Sequence, residues 1–369
     1  MTNYERIHIA MNHGKADRVS VMCQLSQEFM ARNSGIKHFD MYYNANCYAN
    51  TFLKLRKEFN FDGILLNTIM SDNWQDFYSN TEITTVDGFE RYKMPDGMIY
   101  EQHGRNFVCV TINSNPKYPE VDDIEPDEVN YNCDYSKMMA LHKLIIAEGK
   151  KDSFSVHGEI TSPFDKLVVI FGTTNSMMAL LLDPDKCHEI LERALQQSYN
   201  FAKTQIDVGV DTMKISSPFA GGSFISTDHY KEFVLPYEKQ LVSMIHQYKP
   251  GIPIYTHTCG FIGDRLELIA ATGVDGIECM DPPPLGNTLL KDAKERIGRD
   301  LFLKGNMDSV NVLLKATEEI IDKYVRDMIN DGGTDGGYIL SSACSVAPGV
   351  NPDIIRMLVP LAEKYGRYN

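Results

Sequence analysis

Short apolar runs rich in β-branched residues alternate along this chain with longer amphipathic segments. Eight runs have the length and pattern of strands: "VSVMCQ" (19–24), "FDGILLN" (61–67), "SFSVHGEI" (153–160), "VDTMKISS" (210–217), "IPIYTHT" (252–258), "VDGIECM" (274–280), "LFLKGN" (301–306) and "GGYILSSA" (336–343). Apolar residues recur at spacings of three and four, which predicts helices, over 184–208, 227–249, 261–272 and 314–331. Asp183 before Pro184 is typical of a helix start, and "TGVDG" and "DGGTDGG" are typical of helix ends.

This alternation predicts an α/β fold of the (β/α)8 TIM-barrel type. An open doubly wound sheet is less favoured, because the sequence has no G-x-G-x-x-G turn after an early strand. The region 81–120 departs from the pattern, since its "VDG" and "PDG" turns separate short strand-like runs and predict an inserted β-hairpin region. We therefore expect one barrel domain over 1–369, with an N-terminal helical segment and this insertion.

Composition narrows the classes of protein that this chain can represent. With 43% hydrophobic and 23% charged residues among 369, it has the make-up of a soluble globular protein. No run of 18 apolar residues predicts a membrane span, and the polar N-terminus lacks a signal-peptide core, so a cytoplasmic location is expected. The net charge of −14 disfavours nucleic acid or an anionic membrane as partner. The eight scattered cysteines lack the spacing of a disulfide framework.

Polar residues that could act in catalysis or bind a metal lie where the predicted strands end. In a barrel these ends ring a single mouth, where the loops build the functional face. The residues that occupy strand ends are Glu159, His257, Cys259, Glu278, Asn306, Asp308 and Cys344. Because residues two apart on a strand share a face, Tyr255, His257 and Cys259 point the same way.

Two interpretations of these strand ends stay open at the level of the residues alone. Zinc takes three or four ligands from histidine, cysteine and carboxylate groups, and such residues stand at three strand ends here. Alternatively, the cysteines are small buried hydrophobic residues, and Glu159 and Glu278 are core carboxylates held in salt bridges. A lone H-x-C in an apolar strand does not decide between them.

The chain resembles the uroporphyrinogen decarboxylase superfamily, and more closely its branch of zinc-dependent corrinoid methyltransferases. The motifs that carry the resemblance are "GEITSPFDKL", "GVDTMKISSPFAGGSFISTDHYKEFVLPYEKQLV", "IPIYTHTCG", "GVDGIECMDPPPLGN", "LFLKGNMD" and "GGYILSSACSVAPGVNPDII". In that branch the H-x-C-G and a cysteine after the last strand bind zinc, which implies His257, Cys259 and Cys344 as ligands. A carboxylate is a further ligand in the family, and this implies Glu278, with Glu159 as the alternative.

The resemblance implies methyl transfer between a small methylated substrate and the cobalt of a corrinoid (cobalamin) supplied by a partner corrinoid protein. The substrate would be a methoxylated aromatic, a methylamine or a thiol, and relatives with this fold can form homodimers. Glu159 is the predicted acid that stabilises a departing oxygen. Four residues are predicted to contact the substrate, although such side chains more often belong to a core: Tyr255, Phe164, Asn306 and Met280.

Decarboxylases of the superfamily differ from this chain near the N-terminus. They carry an arginine-rich "MRQAGRY"-like segment that binds porphyrinogen carboxylates, whereas this chain reads "SVMCQLSQEFMARNSG", with only Arg32. The alternatives to methyl transfer are a metal-free decarboxylase or lyase and a non-catalytic barrel that binds a tetrapyrrole or corrinoid. The loop "DPPPLGN" is predicted to be stiff, and forms either a wall of the mouth near Glu278 or a plain connector.

Overall fold

The structure is a computed structural model that describes residues 1–66, 79–94, 99–103, 106–109, 118–129 and 132–368. Within these ranges, the side chains of residues 42, 43 and 106–109 are outside the description.

Eight parallel strands form the central sheet, and each overlaps one of the predicted runs. The strands are β1 (Ser20–Val21), β2 (Gly63–Leu66), β7 (Ser155–Thr161), β8 (Thr212–Ser216), β9 (Ile254–Thr258), β10 (Gly276–Cys279), β11 (Phe302–Met307) and β12 (Tyr338–Ser342). The numbers omitted here belong to four strands of a second sheet (Glu82–Val86, Phe89–Lys93, Ile99–His103 and Asn106–Cys109). The strand order in the central sheet is β1-β12-β11-β10-β9-β8-β7-β2. Neighbours in chain order are neighbours in space and run parallel, as a barrel requires, so the predicted (β/α)8 fold is confirmed.

Strands β1 and β2 are the two ends of this order, and Asp62 joins them. The backbone N–H of Asp62 donates to the carbonyl of Val21 at 2.9 Å. In return, the N–H of Val21 donates to Asp62 Oδ2 at 2.7 Å. The side chain of Asp62 thus replaces a ladder bond that the two-residue β1 is too short to make.

Helices follow the strands around the outside of the barrel. They are α1 (Asn3–Met11), α2 (Gln27–Ser34), α3 (His38–Tyr43), α4 (Ala45–Phe59), α5 (Ala140–Asp152), α6 (Pro163–Leu182), α7 (Pro184–Val208), α8 (Leu235–Tyr248), α9 (Leu266–Ala270), α10 (Leu290–Ile297), α11 (Glu318–Met328) and α12 (Pro352–Tyr365). The predicted segment 184–208 matches α7, where Asp183 accepts from the N–H of Lys186 at 3.0 Å as an N-cap. The segment 261–272 holds only the short α9.

The region inserted between β2 and β7 contains a separate antiparallel sheet. Its strands are β3 (Glu82–Val86), β4 (Phe89–Lys93), β5 (Ile99–His103) and β6 (Asn106–Cys109), paired in chain order. Asp87 and Gly88 of the "VDG" turn have φ of 50° and 85°, as a tight hairpin turn demands. The hairpin region is therefore confirmed, while the "PDG" turn lies outside the described residues.

The N-terminal helix α1 closes the end of the barrel opposite to the candidate site. Ile7, Ala10 and Met11 pack there with Tyr255 and Phe302 from the barrel interior. Of the described helices, α6 alone has the length and apolar composition of a membrane span, and 44% of its apolar window is buried inside the fold. Phe164, Leu167 and Phe171 place one face of α6 in the main core, and a core helix of a globular protein meets the same criterion.

Candidate metal centre

Three of the predicted ligands meet at the C-terminal ends of the barrel strands. His257 lies on β9, Cys259 follows that strand directly, and Cys344 follows β12. One ligand atom from each of these residues lies within 4.8 Å of the other two. The structure therefore brings together an imidazole and two sulfurs that are distant in the sequence.

The chain after His257 is held by its neighbours. Gly260 has φ of +74°, a left-handed conformation that explains the glycine directly after Cys259. Its N–H donates to Asp281 Oδ2 at 2.7 Å. Three residues on, the N–H of Gly263 donates to Asn287 Oδ1 at 2.9 Å. The loop after β10 thus fixes the loop that presents Cys259.

The imidazole of His257 has a different partner on each nitrogen. Nδ1 lies 2.9 Å from Glu278 Oε2, and Nε2 lies 3.1 Å from Cys259 Sγ. An ionised carboxylate can only accept, so Nδ1 carries a proton. Burial disfavours the imidazolium, but hydrogen bonds to Cys344 and Glu278 outweigh it and raise the pKa of His257. In the neutral ring the lone pair is then on Nε2, the nitrogen that faces the sulfurs. A carboxylate on the far nitrogen of a metal-binding histidine is a common arrangement that fixes tautomer and ring orientation.

The donor set fits a zinc ion. Zinc–sulfur bonds of about 2.3 Å and zinc–nitrogen bonds of about 2.0 Å place tetrahedral ligands roughly 3.5–4 Å apart, which is compatible with a group whose members lie within 4.8 Å of one another. Three protein ligands leave one position for a substrate atom, as in catalytic zinc sites.

The three neighbouring thiols differ in their acidity. Hydrogen bonds from Cys279 and Cys344 lower the pKa of Cys259 to about 5, whereas the hydrogen bond to Cys259 and burial raise the pKa of Cys344 to about 12. Burial also raises the pKa of Cys279 well above its usual range. The lowered pKa favours the thiolate of Cys259, which is the form of cysteine that binds metals.

Two buried lysines surround Glu278. Lys304 Nζ contacts Oε1, and Lys214 Nζ lies 3.0 Å from Oε2. Burial opposes ionisation of Glu278, but the ammonium groups of Lys214 and Lys304 outweigh it and hold the pKa of this carboxyl well below its usual range. Glu278 contacts His257 on the Nδ1 side. Neither Glu278 nor Glu159 belongs to the group of three ligand atoms that lie within 4.8 Å of one another, so a carboxylate as fourth ligand stays a prediction.

Glu159 and Asn306 occupy polar positions next to this cluster. Glu159 Oε1 lies 3.1 Å from Lys214 Nζ, and the side chain is 16% exposed. Asn306 donates from Nδ2 to the carbonyls of Met280 at 2.9 Å and Thr288 at 3.2 Å, so it holds the loop after β10. Their roles as acid and as substrate contact stay predictions.

The other predicted substrate contacts lie inside the protein. Phe164 and Met280 belong to the main apolar core. Tyr255 is fully buried below the candidate site, where its hydroxyl lies 3.1 Å from His157 Nδ1. Their role in substrate binding stays a prediction, and their burial favours a packing role.

Sequence reasoning missed Lys214, Lys304 and Cys279. The two lysines interrupt the apolar strands "TMKIS" and "FLKGN". A lysine is rarely buried unless it is paired, so its position within an apolar strand could have indicated a buried ion pair. Cys279, a buried cysteine on β10, has no spacing in the sequence that links it to the H-x-C motif. It forms a second group with Cys259 and Asp281, whose ligand atoms also lie within 4.8 Å of one another.

A protein-family profile and several curated proteins match this chain. The profile of the family described as uroporphyrinogen decarboxylase (URO-D) matches residues 112–365, which include every residue of the candidate site. A methylated-thiol–coenzyme M methyltransferase of Methanosarcina mazei is 28% identical over 200 residues, which are 54% of this chain and 50% of that protein. A uroporphyrinogen decarboxylase of Vesicomyosocius okutanii is 27% identical over 198 residues, 54% of each. The chain thus spans about half the length of the curated relatives it matches.

Solved structures include a similar fold over the whole chain. A methyltransferase from Methanosarcina mazei superposes with a TM-score of 0.76 at 18% identity, and the match covers 99% of both chains. At this identity the likeness shows that the two proteins share a fold.

Proposed function

The chain belongs to the uroporphyrinogen decarboxylase family, and from this premise we propose that it is a zinc-dependent methyltransferase. It moves a methyl group between a small methylated substrate and the cobalt of a corrinoid carried by a separate protein. The observation that carries the proposal is the cluster of His257 Nε2 with the sulfurs of Cys259 and Cys344 at the mouth of the barrel. The relative named for methylated thiols and coenzyme M supports a thiol or thioether as the substrate class.

The chain's own residues have separate tasks in this reaction. His257, Cys259 and Cys344 would hold the zinc, while Glu278 keeps the proton on Nδ1 so that Nε2 stays a ligand. When bound, zinc lowers the pKa of a coordinated thiol or polarises a departing oxygen. Asp281 holds the Cys259 loop through the N–H of Gly260. Glu159 is the partly exposed carboxyl of the cluster and would exchange a proton with the substrate.

A reducing compartment such as the cytoplasm suits this site. Cys259 and Cys344 form no disulfide, and neither do the other cysteines whose side chains the structure describes. Oxidation of the two ligand sulfurs to a disulfide would remove the thiolate that zinc requires.

Decarboxylation is the second candidate, because several curated relatives carry the name uroporphyrinogen decarboxylase. A substrate with many carboxylates needs cationic side chains that face the mouth. In this chain the residue at the end of the first strand's run is Gln24, whose Oε1 accepts from Lys214 at 2.8 Å. Lys214 is also engaged by Glu159 and Glu278, so its charge is already compensated, and methyl transfer is favoured.

Metal analysis tests the site. We expect about one zinc per chain in the wild-type protein and in Cys47→Ser, a control variant whose cysteine lies on the outer helix α4. His257→Ala and Cys344→Ser should retain less than about a tenth of that zinc, since each loses one of three ligands. Circular dichroism checks that the barrel is folded, and equal zinc in all four proteins would overturn the assignment.

The reaction itself is tested with reduced cobalamin. Cob(I)alamin and a panel of methylated thiols, methylamines and methoxylated aromatics should yield methylcobalamin in the presence of zinc-loaded protein, and a chelator should abolish the activity. Decarboxylation of uroporphyrinogen that survives the chelator, without any methyl transfer, would instead establish the second candidate.

A further inference from the structure

We propose that Lys214 and Lys304 are positioning residues of the metal centre, which lock the Glu278 carboxylate in the orientation that turns His257 Nε2 toward the two sulfurs. This inference deepens the proposed function and rests on its metal site. It assigns a role to two charged side chains that the methyl-transfer chemistry leaves unexplained.

Both oxygens of the Glu278 carboxylate are held by cations. Lys304 Nζ contacts Oε1. Oε2 is shared between Lys214 Nζ at 3.0 Å and His257 Nδ1 at 2.9 Å. Rotation of the carboxylate would break contacts on both oxygens at once, so the acceptor that faces the imidazole has one favoured position.

The lysines are themselves fixed by other groups. An ammonium has three N–H donors, and Lys214 has three acceptors: Glu278 Oε2, Glu159 Oε1 at 3.1 Å and Gln24 Oε1 at 2.8 Å. Lys304 also donates to Ser341 Oγ at 3.2 Å and lies over the ring of Tyr255. Contacts other than the one with Glu278 therefore also fix the orientation of each lysine side chain.

The backbone ladders place these groups in line. Glu278 on β10 is the register partner of His257 on β9 and of Lys304 on β11. On the neighbouring strands, Lys214 of β8 pairs with Glu159 of β7. Three parallel strands thus set the order imidazole, carboxylate, ammonium across the barrel interior, independently of loop conformation.

The energetics favour a task other than stability for this cluster. Lys214 is 1% exposed and Lys304 is fully buried. Removing an ammonium from water costs several kcal/mol even after relaxation, and buried ion pairs replaced by apolar side chains are often no less stable. Two buried lysines around one glutamate are therefore poorly explained by core packing, and their contact with the carboxylate that orients a ligand histidine explains them.

Zinc affinity in the purified chain tests the proposal without any methyl-transfer assay. We expect Lys304→Met and Lys214→Met to bind zinc about 10–100-fold more weakly in competition with a chromophoric chelator, the usual loss when a group behind a ligand is removed. Lys294→Met is the matched control, because this partly buried lysine donates to the carbonyl of Gly336 at 2.6 Å, away from Glu278. Its zinc affinity should equal that of the wild type.

Two further variants separate positioning from a general effect on folding. In the double variant Lys304→Met/Glu278→Gln, zinc should bind no more weakly than in Glu278→Gln alone, since the lysine acts through that carboxylate. If Lys304→Met fails to fold, Lys304→Gln keeps a neutral donor to Glu278 and should show a smaller loss. Cobalt(II) bound in place of zinc should show altered thiolate charge-transfer bands in the lysine variants and unchanged bands in Lys294→Met.

The tautomer of His257 gives a readout in the metal-free protein. At an alkaline pH at which the imidazole is neutral, long-range 1H–15N spectra of a histidine-labelled sample should show the Nδ1–H form alone in the wild type and a mixture in both lysine variants. Unchanged zinc affinity together with an unchanged tautomer in both variants would overturn the proposal. The two proposals can fail separately. If the lysine variants bind zinc more weakly but the wild-type protein transfers no methyl group, the proposed function is refuted and this inference stands.

Discussion

Two buried carboxylates lie at opposite ends of this barrel, and each is held between two cationic side chains. Asp62 stands at the N-terminal ends of the strands, with Arg6 Nη1 at 2.7 Å and Arg18 Nη1 at 2.8 Å. Glu278 stands near the C-terminal ends, with Lys214 and Lys304. The two clusters have the same pattern of charge and differ in what else the carboxylate contacts.

The remaining partner of each carboxylate defines its task. Asp62 accepts from the backbone N–H of Val21, so the whole cluster serves the seam between β1 and β2. Glu278 accepts instead from His257, whose other nitrogen faces a sulfur. One buried ion cluster thus joins the strands that close the barrel, and the other orients the His257 imidazole. This agrees with the division of TIM barrels into a stability face and a functional face.

Removal of the charge at the seam should have the largest effect on stability. Asp62→Asn removes the buried carboxylate between Arg6 and Arg18, and only Arg6 keeps a close second carboxylate, that of Asp17. We expect the free energy of unfolding to fall by about 3–5 kcal/mol. The zinc affinity of the folded protein should not change. Urea unfolding measures the stability and chelator competition measures the zinc affinity. Weaker zinc binding by this variant would contradict a purely structural role of the Asp62 cluster.

Glu278→Gln is the counterpart at the other end. It leaves Lys214 and Lys304 with a neutral partner, so a loss of stability of similar size, about 3–5 kcal/mol, is expected. Here zinc binding should also weaken by about 10–100-fold. If the glutamine variant kept full zinc affinity, the functional half of the comparison would be wrong.

Two further buried carboxyls, Asp165 and Glu238, form no ion pair with any residue that the structure describes, and they extend the comparison to pH. Burial raises the pKa of Asp165 and of Glu238 to about 7 each. Asp165 accepts from Ser162 Oγ at 2.9 Å, and Glu238 Oε1 has no hydrogen-bond partner among the described residues. These carboxyls take up a proton where Glu278, next to two lysines, stays ionised.

The sign of the pH effect follows from the raised pKa. Between about pH 4 and pH 7 the folded state holds protons that the unfolded chain has released, so the contribution of the pair is complete near pH 4 and lost as the pH rises through 7. Linkage at these pKa values implies a loss of roughly 3 kcal/mol for each carboxyl across this interval. The double variant Asp165→Asn/Glu238→Gln should flatten this part of the stability profile, measured by urea unfolding at several pH values; an unchanged slope would contradict the assignment.

The smallest expected effect concerns the support of Glu159. Gln205 on α7 accepts from the N–H of Glu159 at 3.1 Å and donates to its carbonyl at 2.8 Å. A Cβ at Gly158 would lie 2.5 Å from Gln205 Oε1. Gly158→Ala should therefore displace the amide and cost about 1–2 kcal/mol. Gln205→Leu should cost a similar amount. In the double variant the two losses should not add, because both substitutions remove the same hydrogen bonds. Additive losses would show that Gly158→Ala destabilises the protein by a route other than Gln205.

Much of the fold could be predicted from local pattern. The run 184–208 coincides with α7, because its helical spacing, its Asp183 cap and its Pro184 all act within one segment. The first strand was less predictable, since the run 19–24 forms only Ser20–Val21 in the barrel. The reason is that β1 is completed by Asp62, which is 41 positions from Val21 in the sequence.

The sequence by itself determined the barrel and placed His257, Cys259 and Cys344 on its rim, while their role as ligands was implied by the resemblance. Strand ends of a barrel share one rim, so the position of a residue along its own strand is enough to place it there. Only the tertiary structure decided that Glu278 lies behind the imidazole and that Lys214 and Lys304 hold it. Those contacts depend on the register between strands, which is set by hydrogen bonds and packing between distant segments and leaves no mark in any single one of them.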